Sequence, residues 1–181
     1  MGKINVGFIG CGRISDLHYL GYRNNKDARL AAVCDTNPDV VAARKKQWKA
    51  DRGYTDYREL LNDPKIDAVE ILTPHSMHEA MVVEAAAAGK HIALQKPMTM
   101  SLQSADRMIA AATRNNVLFK VTDNYAWYPP FVLAKQMIEN GDIGKPVTLS
   151  IKLIVGWSGG WEVPASSWEW RMKDFSLGFG E

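Results

Sequence analysis

Two glycines and one acid define the first chemistry available to this chain. Gly10-Cys11-Gly12-Arg13-Ile14-Ser15 follows a short apolar run and opens a helical one. In that setting Gly10 permits a tight turn, and Gly12 lets the backbone approach a diphosphate closely. The helix beginning at Arg13 and Ile14 offers unpaired N–H groups and the positive end of its dipole to the phosphate charge. The third position of the pattern is Ser15, small but neither glycine nor alanine, which implies slightly looser helix–strand packing than the strict fingerprint. Asp35 ends the next strand-like run, where a carboxylate accepts hydrogen bonds from ribose hydroxyls. A 2′-phosphate at that place would meet an uncompensated negative charge, so NAD is expected rather than NADP. The competing reading has Asp35 merely capping the segment before Pro38; strand, turn, helix and acid in register favour the dinucleotide.

Positioning those residues requires strands alternating with helices. Strands are expected at residues 3–9, 29–34, 68–72, 91–95 and 118–122, with a short one near Gly53 and Tyr54. Helices are expected at residues 13–24, 38–50, 57–62, 76–88 and 101–115. Such alternation predicts parallel strands joined by right-handed crossovers, an α/β Rossmann doubly wound sheet over residues 1–125. Pro38 after Asn37 is a helix start signal. Leu102, Ala105, Met108, Ile109 and Ala112 recur at three and four and predict the stripe that the last of these helices lays on the sheet. Gly89 and Gly141 follow helical runs and suit left-handed caps.

Composition narrows the function classes. With 46% hydrophobic and 23% charged residues in 181, the chain can bury a real core. A net charge of +2 with both signs interspersed gives no concentrated field for nucleic acid. No apolar run approaches the roughly 18 residues of a membrane span. The start of the chain, running straight into a glycine turn, does not read as a secretion signal. Cys11 and Cys34 are expected as reduced thiols, and the cytoplasm as the compartment.

Three motifs in order, Gly10 through His18, Thr73-Pro74-His75-Ser76-Met77-His78 and Gln95-Lys96-Pro97, resemble those of the Gfo/Idh/MocA oxidoreductases, the glucose-fructose oxidoreductase and inositol dehydrogenase family. The resemblance implies an NAD-dependent dehydrogenase of a sugar, inositol or related polyol. It puts Thr73, Pro74, His75 and His78 near the ribose and nicotinamide, with the histidines either bonding the cofactor or capping the next helix. Gln95-Lys96-Pro97 stands where the family carries E-K-P, so Lys96 is the implied catalytic residue. Its ammonium stabilises an alkoxide, or its neutral amine helps remove the hydroxyl proton. Gln95 keeps the size and an acceptor oxygen of glutamate but loses the charge. Pro97 is expected to follow a cis bond. Asn124, in a segment resembling the family's N-x-R-F-x-P, is implied to touch nicotinamide or substrate, with Ala126 in the arginine position. No metal site is implied.

Residues 126–181 are expected to begin a second, substrate-binding and oligomerising α+β domain, with residues 147–155 as its first strand. The stretch ending at Glu181 resembles the one just before the family's D-x-G-x-H segment, which predicts a truncated chain whose full-length form is a homo-oligomer. A module that binds NAD without turnover is the alternative to an enzyme.

Overall fold

The computed structural model describes residues 2–123 and 127–152. The chain divides after Thr122 into two units. In the first, the elements are β1 (Ile4–Ile9), α1 (Arg13–Arg23), β2 (Ala28–Cys34), α2 (Pro38–Trp48), β3 (Arg52–Tyr54), α3 (Tyr57–Leu61), β4 (Ala68–Ile71), α4 (His78–Ala87), β5 (His91–Gln95), α5 (Leu102–Arg114) and β6 (Phe119–Thr122). All strand pairs are parallel, in the order β3-β2-β1-β4-β5-β6. This is the doubly wound Rossmann sheet expected from the alternation of strands and helices.

Strand pleating sends alternate side chains to opposite faces, and the two cores follow from it. Val6, Phe8, Leu30 and Val33 pack with Val41 and Trp48 of α2 and with Ile14, Tyr19 and Tyr22 of α1. Ile9, Ala32, Val69, Ile71 and Leu94 pack with Leu60, Met81, Val82, Ala85, Met108 and Ala111 on the other side. Local start signals agree with this layout. The Asn37 side chain accepts from the Asp39 amide with Pro38 in the first turn, Asp56 accepts from Arg58, and Ser101 accepts from Ser104.

The α5 stripe differs from expectation. Ser104, Met108, Ala111 and Ala112 are its buried residues, whereas Leu102 is 82% exposed and Ile109 51% exposed. Apolar spacing alone rotated the face wrongly because a polar residue belongs to it: Ser104 is hydrogen-bonded to Glu79 of α4, and small Ala111 and Ala112 sit beside it on the packed side.

In the second unit, α6 (Pro129–Glu139) is followed by Gly141 with φ of 80°. The strand expected from residue 147 is not formed through Lys152, because a strand needs a ladder partner and the described residues supply none there. Residues 153–155 lie outside the described residues. No helix among the described residues is long and apolar enough to cross a membrane.

Asp63 ties the β3 edge to the turn before β4. Its carboxylate accepts from Arg52 and from Tyr54 Oη at 2.8 Å, and from the Lys65 amide at 2.9 Å. Burial pushes this carboxyl up, but Arg52, the Lys65 amide and Tyr54 outweigh it and bring it down to about 2. Arg107, followed by Ser104, likewise draws Glu79 down to about 2. Both folded values lie below the roughly 4 of an unfolded carboxyl, so this stabilisation is complete above that value and disappears as pH falls through the folded ones. Urea midpoints measured against pH should therefore fall between about pH 4 and pH 2. Asp63→Asn should lower the midpoint at neutral pH and flatten that acid limb; an unchanged limb would remove Asp63 from the account.

Candidate cofactor-binding and active site

Among the described residues, the motifs lie together at the carboxyl ends of the strands. Gly10 to Gly12 leave β1, Asp35 leaves β2, Thr73 and Pro74 leave β4, and Gln95 closes β5 with Lys96 just beyond it. β1 has β2 on one side and β4 on the other. The chain runs from β1 towards α1 on one face and from β4 towards α4 on the opposite face, which opens the crevice where such sheets hold ligands.

Gly10 adopts φ of 91°, and a Cβ there would come within 3.0 Å of the Leu72 carbonyl oxygen. Only glycine suits both conditions. Gly12 has no such internal reason: its φ is −69°, and a Cβ would meet no atom within 4 Å. The protein does not demand a glycine at that position, and the free space above the first turn of α1 is what a diphosphate needs. Ser15 is wholly buried and its hydroxyl donates back to the Gly12 carbonyl, so the third position helps to close the turn.

Asp35 is half-buried directly beside this turn. Its Oδ2 accepts from the Cys11 amide at 2.9 Å and its Oδ1 from the Asn37 amide at 3.0 Å. A carboxylate oxygen has a second acceptor position, so both remain able to receive ribose hydroxyls. Arg44 grips the turn from α2, donating from Nε to the Cys11 carbonyl at 3.3 Å, forking onto Asp16 at 2.5 and 2.8 Å, and lying 4.8 Å over the Trp48 ring. Cys11 and Cys34 are both unpaired and buried. Burial first, and then Asp35 for Cys11 and Cys11 for Cys34, push both thiols up to about 12, which keeps them protonated and non-nucleophilic.

The residues after β4 divide by role. Thr73, Pro74 and His75 are half-buried at the crevice. His78 is wholly buried, with Nε2 2.9 Å from the Thr73 carbonyl oxygen and Nδ1 3.2 Å from that of Met98. It spans the loops after β4 and β5, with a backbone carbonyl oxygen at each ring nitrogen. Arg13 and Lys96 are exposed, Ile14 is half-buried, and the Lys96–Pro97 bond is cis as expected. Gln95 is 8% exposed; its Oε1 accepts from the Lys96 amide at 2.7 Å and its Nε2 lies 2.9 Å from His18 Nε2. Asn124 lies outside the described residues.

Arg44, Asp16 and Glu70 were not singled out from sequence. Glu70 had a signal, a lone acid inside the buried strand Ala68–Ile71, and such an acid is almost always paired. Arg44 had none, because its bonds cross from one helix to another. Among the described residues no group of three or more His, Cys, Asp or Glu could hold a metal ion.

Comparison with known proteins agrees with this geometry. The family model for Gfo/Idh/MocA, an oxidoreductase family with an NAD-binding Rossmann fold, matches residues 4–123. A myo-inositol 2-dehydrogenase of Thermotoga maritima is 33% identical over 82% of this chain and 44% of its own length. A levoglucosan dehydrogenase of Pseudarthrobacter phenanthrenivorans is 30% identical over 99% of this chain and 47% of its own length. The crystal structure of an oxidoreductase from Agrobacterium radiobacter, in complex with NAD+, L-tartaric acid and magnesium, superposes with a TM-score of 0.77 at 30% identity, covering 80% of this chain and 42% of that one. The chain thus spans about half the length of the relatives it matches.

The two glycines should separate in experiment. Gly10→Ala places an alanine in the left-handed region at a cost of roughly 1–2 kcal/mol, with the Leu72 contact added, and should lower the thermal midpoint. Gly12→Ala, at an exposed helix cap, should change stability by about 1 kcal/mol or less yet abolish NADH binding by fluorescence titration. Wild-type affinity in Gly12→Ala would show that the space above Gly12 is not the diphosphate cradle.

Proposed function

The chain belongs to the Gfo/Idh/MocA oxidoreductase family, and from that premise we propose that it carries the cofactor-binding part of an NAD-dependent dehydrogenase of a sugar, inositol or related polyol. The observation that carries this reading is the open space at Gly12, with Asp35 bonded to the turn beside it. Relatives named for inositol and levoglucosan support the substrate class.

In this reading Gly10, Gly12, Arg13 and Ile14 hold the diphosphate through backbone N–H groups and the α1 dipole. Asp35 accepts the ribose hydroxyls, and its negative charge disfavours a 2′-phosphate, which makes the cofactor NAD and not NADP. Thr73, Pro74 and His75 line the path towards the nicotinamide, and the resemblance to the family assigns Asn124 to the nicotinamide or substrate as well. NAD, when bound, supplies the acceptor for a hydride leaving the hydroxyl-bearing carbon of the substrate. Lys96 serves the hydroxyl oxygen, taking its proton as a neutral amine or stabilising the alkoxide as an ammonium. Residues 126–181 begin the substrate domain, and a cytoplasmic homo-oligomer completes the proposal.

Calorimetric titration should give NADH binding at least about tenfold tighter than NADPH, a difference of about 1.4 kcal/mol. Equal affinities would overturn the role of Asp35, and no binding of either would overturn the reading itself. With inositols and aldoses as substrates, NADH formation followed by absorbance should appear in wild type and be lost in Lys96→Ala while NADH affinity is kept. Unchanged turnover in that variant would reject Lys96; binding with no turnover on any substrate would make this chain a binding module.

A further inference from the structure

A line of polar groups, buried at Glu70 and Gln95 and half-buried at Tyr22 and His18, runs under the crevice from α1 through β4 to the end of β5. Tyr22 Oη donates to Glu70 Oε2 at 2.8 Å, Glu70 Oε1 lies 2.6 Å from His18 Nδ1, His18 Nε2 lies 2.9 Å from Gln95 Nε2, and Gln95 Oε1 receives the Lys96 amide at 2.7 Å. Glu70 is 4% exposed and Gln95 8%. Burial and the neighbouring Glu70 push the Tyr22 phenol up, so it stays a donor.

The proton positions along this line follow from what each group can do. A backbone N–H can only donate, so the Gln95 oxygen must face Lys96 and its NH2 must face His18. His18 Nε2 then has to be the bare, accepting nitrogen. Its proton is left on Nδ1, where the Glu70 carboxylate receives it. Any other ring state turns two donors on one another or costs the Lys96 amide its partner, and an unmatched pair at the buried Gln95 is costly.

We propose that His18 and Glu70, acting through Gln95, are positioning residues for Lys96: they hold the ring of His18 as its neutral Nδ1–H form and thereby fix the backbone on which Lys96 stands. The hydrogen-bonded line is a property of the fold, and only its use rests on the function proposed for Lys96. A carboxamide at position 95 is what permits the uncharged ring. A glutamate there has no hydrogen to donate, so it would require a proton on Nε2 as well, giving an imidazolium between two carboxylates.

Long-range proton–nitrogen correlation spectra of the histidine rings test this in the wild-type chain, with or without cofactor. At about pH 8, above the ordinary imidazole range, His18 should show a protonated Nδ1 and a bare Nε2. A proton on Nε2, with Nδ1 bare or protonated, overturns the proposal. Gln95→Glu at the same pH should protonate both ring nitrogens, and an unchanged His18 signal would break the link through Gln95. His18→Phe keeps an aromatic ring but cannot accept, so the Lys96 amide should exchange with solvent about tenfold faster, the scale of one lost hydrogen bond. If His18→Phe is folded by circular dichroism and Lys96 exchange is unchanged, His18 does not position Lys96. These readouts do not depend on turnover, so an inactive chain with the expected spectra leaves the positioning intact while rejecting the catalytic reading of Lys96.

Discussion

The hydrogen bond from the Cys11 amide to the Asp35 carboxylate, 2.9 Å long, joins the turn after β1 to the end of β2, and the crevice depends on it. A glycine-rich turn has much conformational freedom to lose, and three partners restrain this one. Asp35 takes the Cys11 N–H, Arg44 donates to the Cys11 carbonyl, and Gly10 lies against the Leu72 carbonyl of the neighbouring strand end. The turn is thereby held open before any ligand arrives, which reduces the ordering cost of binding. Capping and ribose recognition are not alternatives for Asp35. Its two oxygens cap both loops and keep acceptor positions to spare.

The parts of this architecture legible in the sequence are those whose cause is local. A turn demanding a left-handed glycine, a proline after an asparagine, and runs of β-branched residues between helices each act within a few residues, and each is found where its local cause places it. The α5 face was misread because a buried serine counts as polar in any periodicity, although Ser104 is matched by Glu79. The chain from Tyr22 to Lys96 was not legible because its links join residues 52 and 77 positions apart in sequence. Spacing reports which face is buried, and it carries no information on which distant polar group will meet another.

Two histidines, His78 buried and His18 half-buried, show how much the partner decides. His78 faces two carbonyl oxygens, both acceptors, so a neutral ring can donate to only one of them. It serves as a strut between the loops after β4 and β5. His18 faces an acceptor on one side and a donor on the other, so a neutral ring satisfies both at once and has a defined direction. The same side chain is a static brace in one place and an oriented link in the other.

That direction bears on Gln95. Where the family has glutamate, a protonated ring between two carboxylates would carry one net negative charge, the negative end nearest Lys96 being residue 95 itself. With glutamine, a neutral ring, and Glu70 ionised, the net charge of the line is the same. It now resides on Glu70, one imidazole and one carboxamide further from Lys96. The substitution therefore displaces the charge without removing it. Coulomb interaction falls with distance, so the end of the line at the Lys96 backbone carries less negative charge, while the bond to the Lys96 amide is kept by the oxygen that glutamine shares with glutamate. Position 95 can hold the Lys96 backbone amide with either side chain, and glutamine leaves the charge of the line on Glu70.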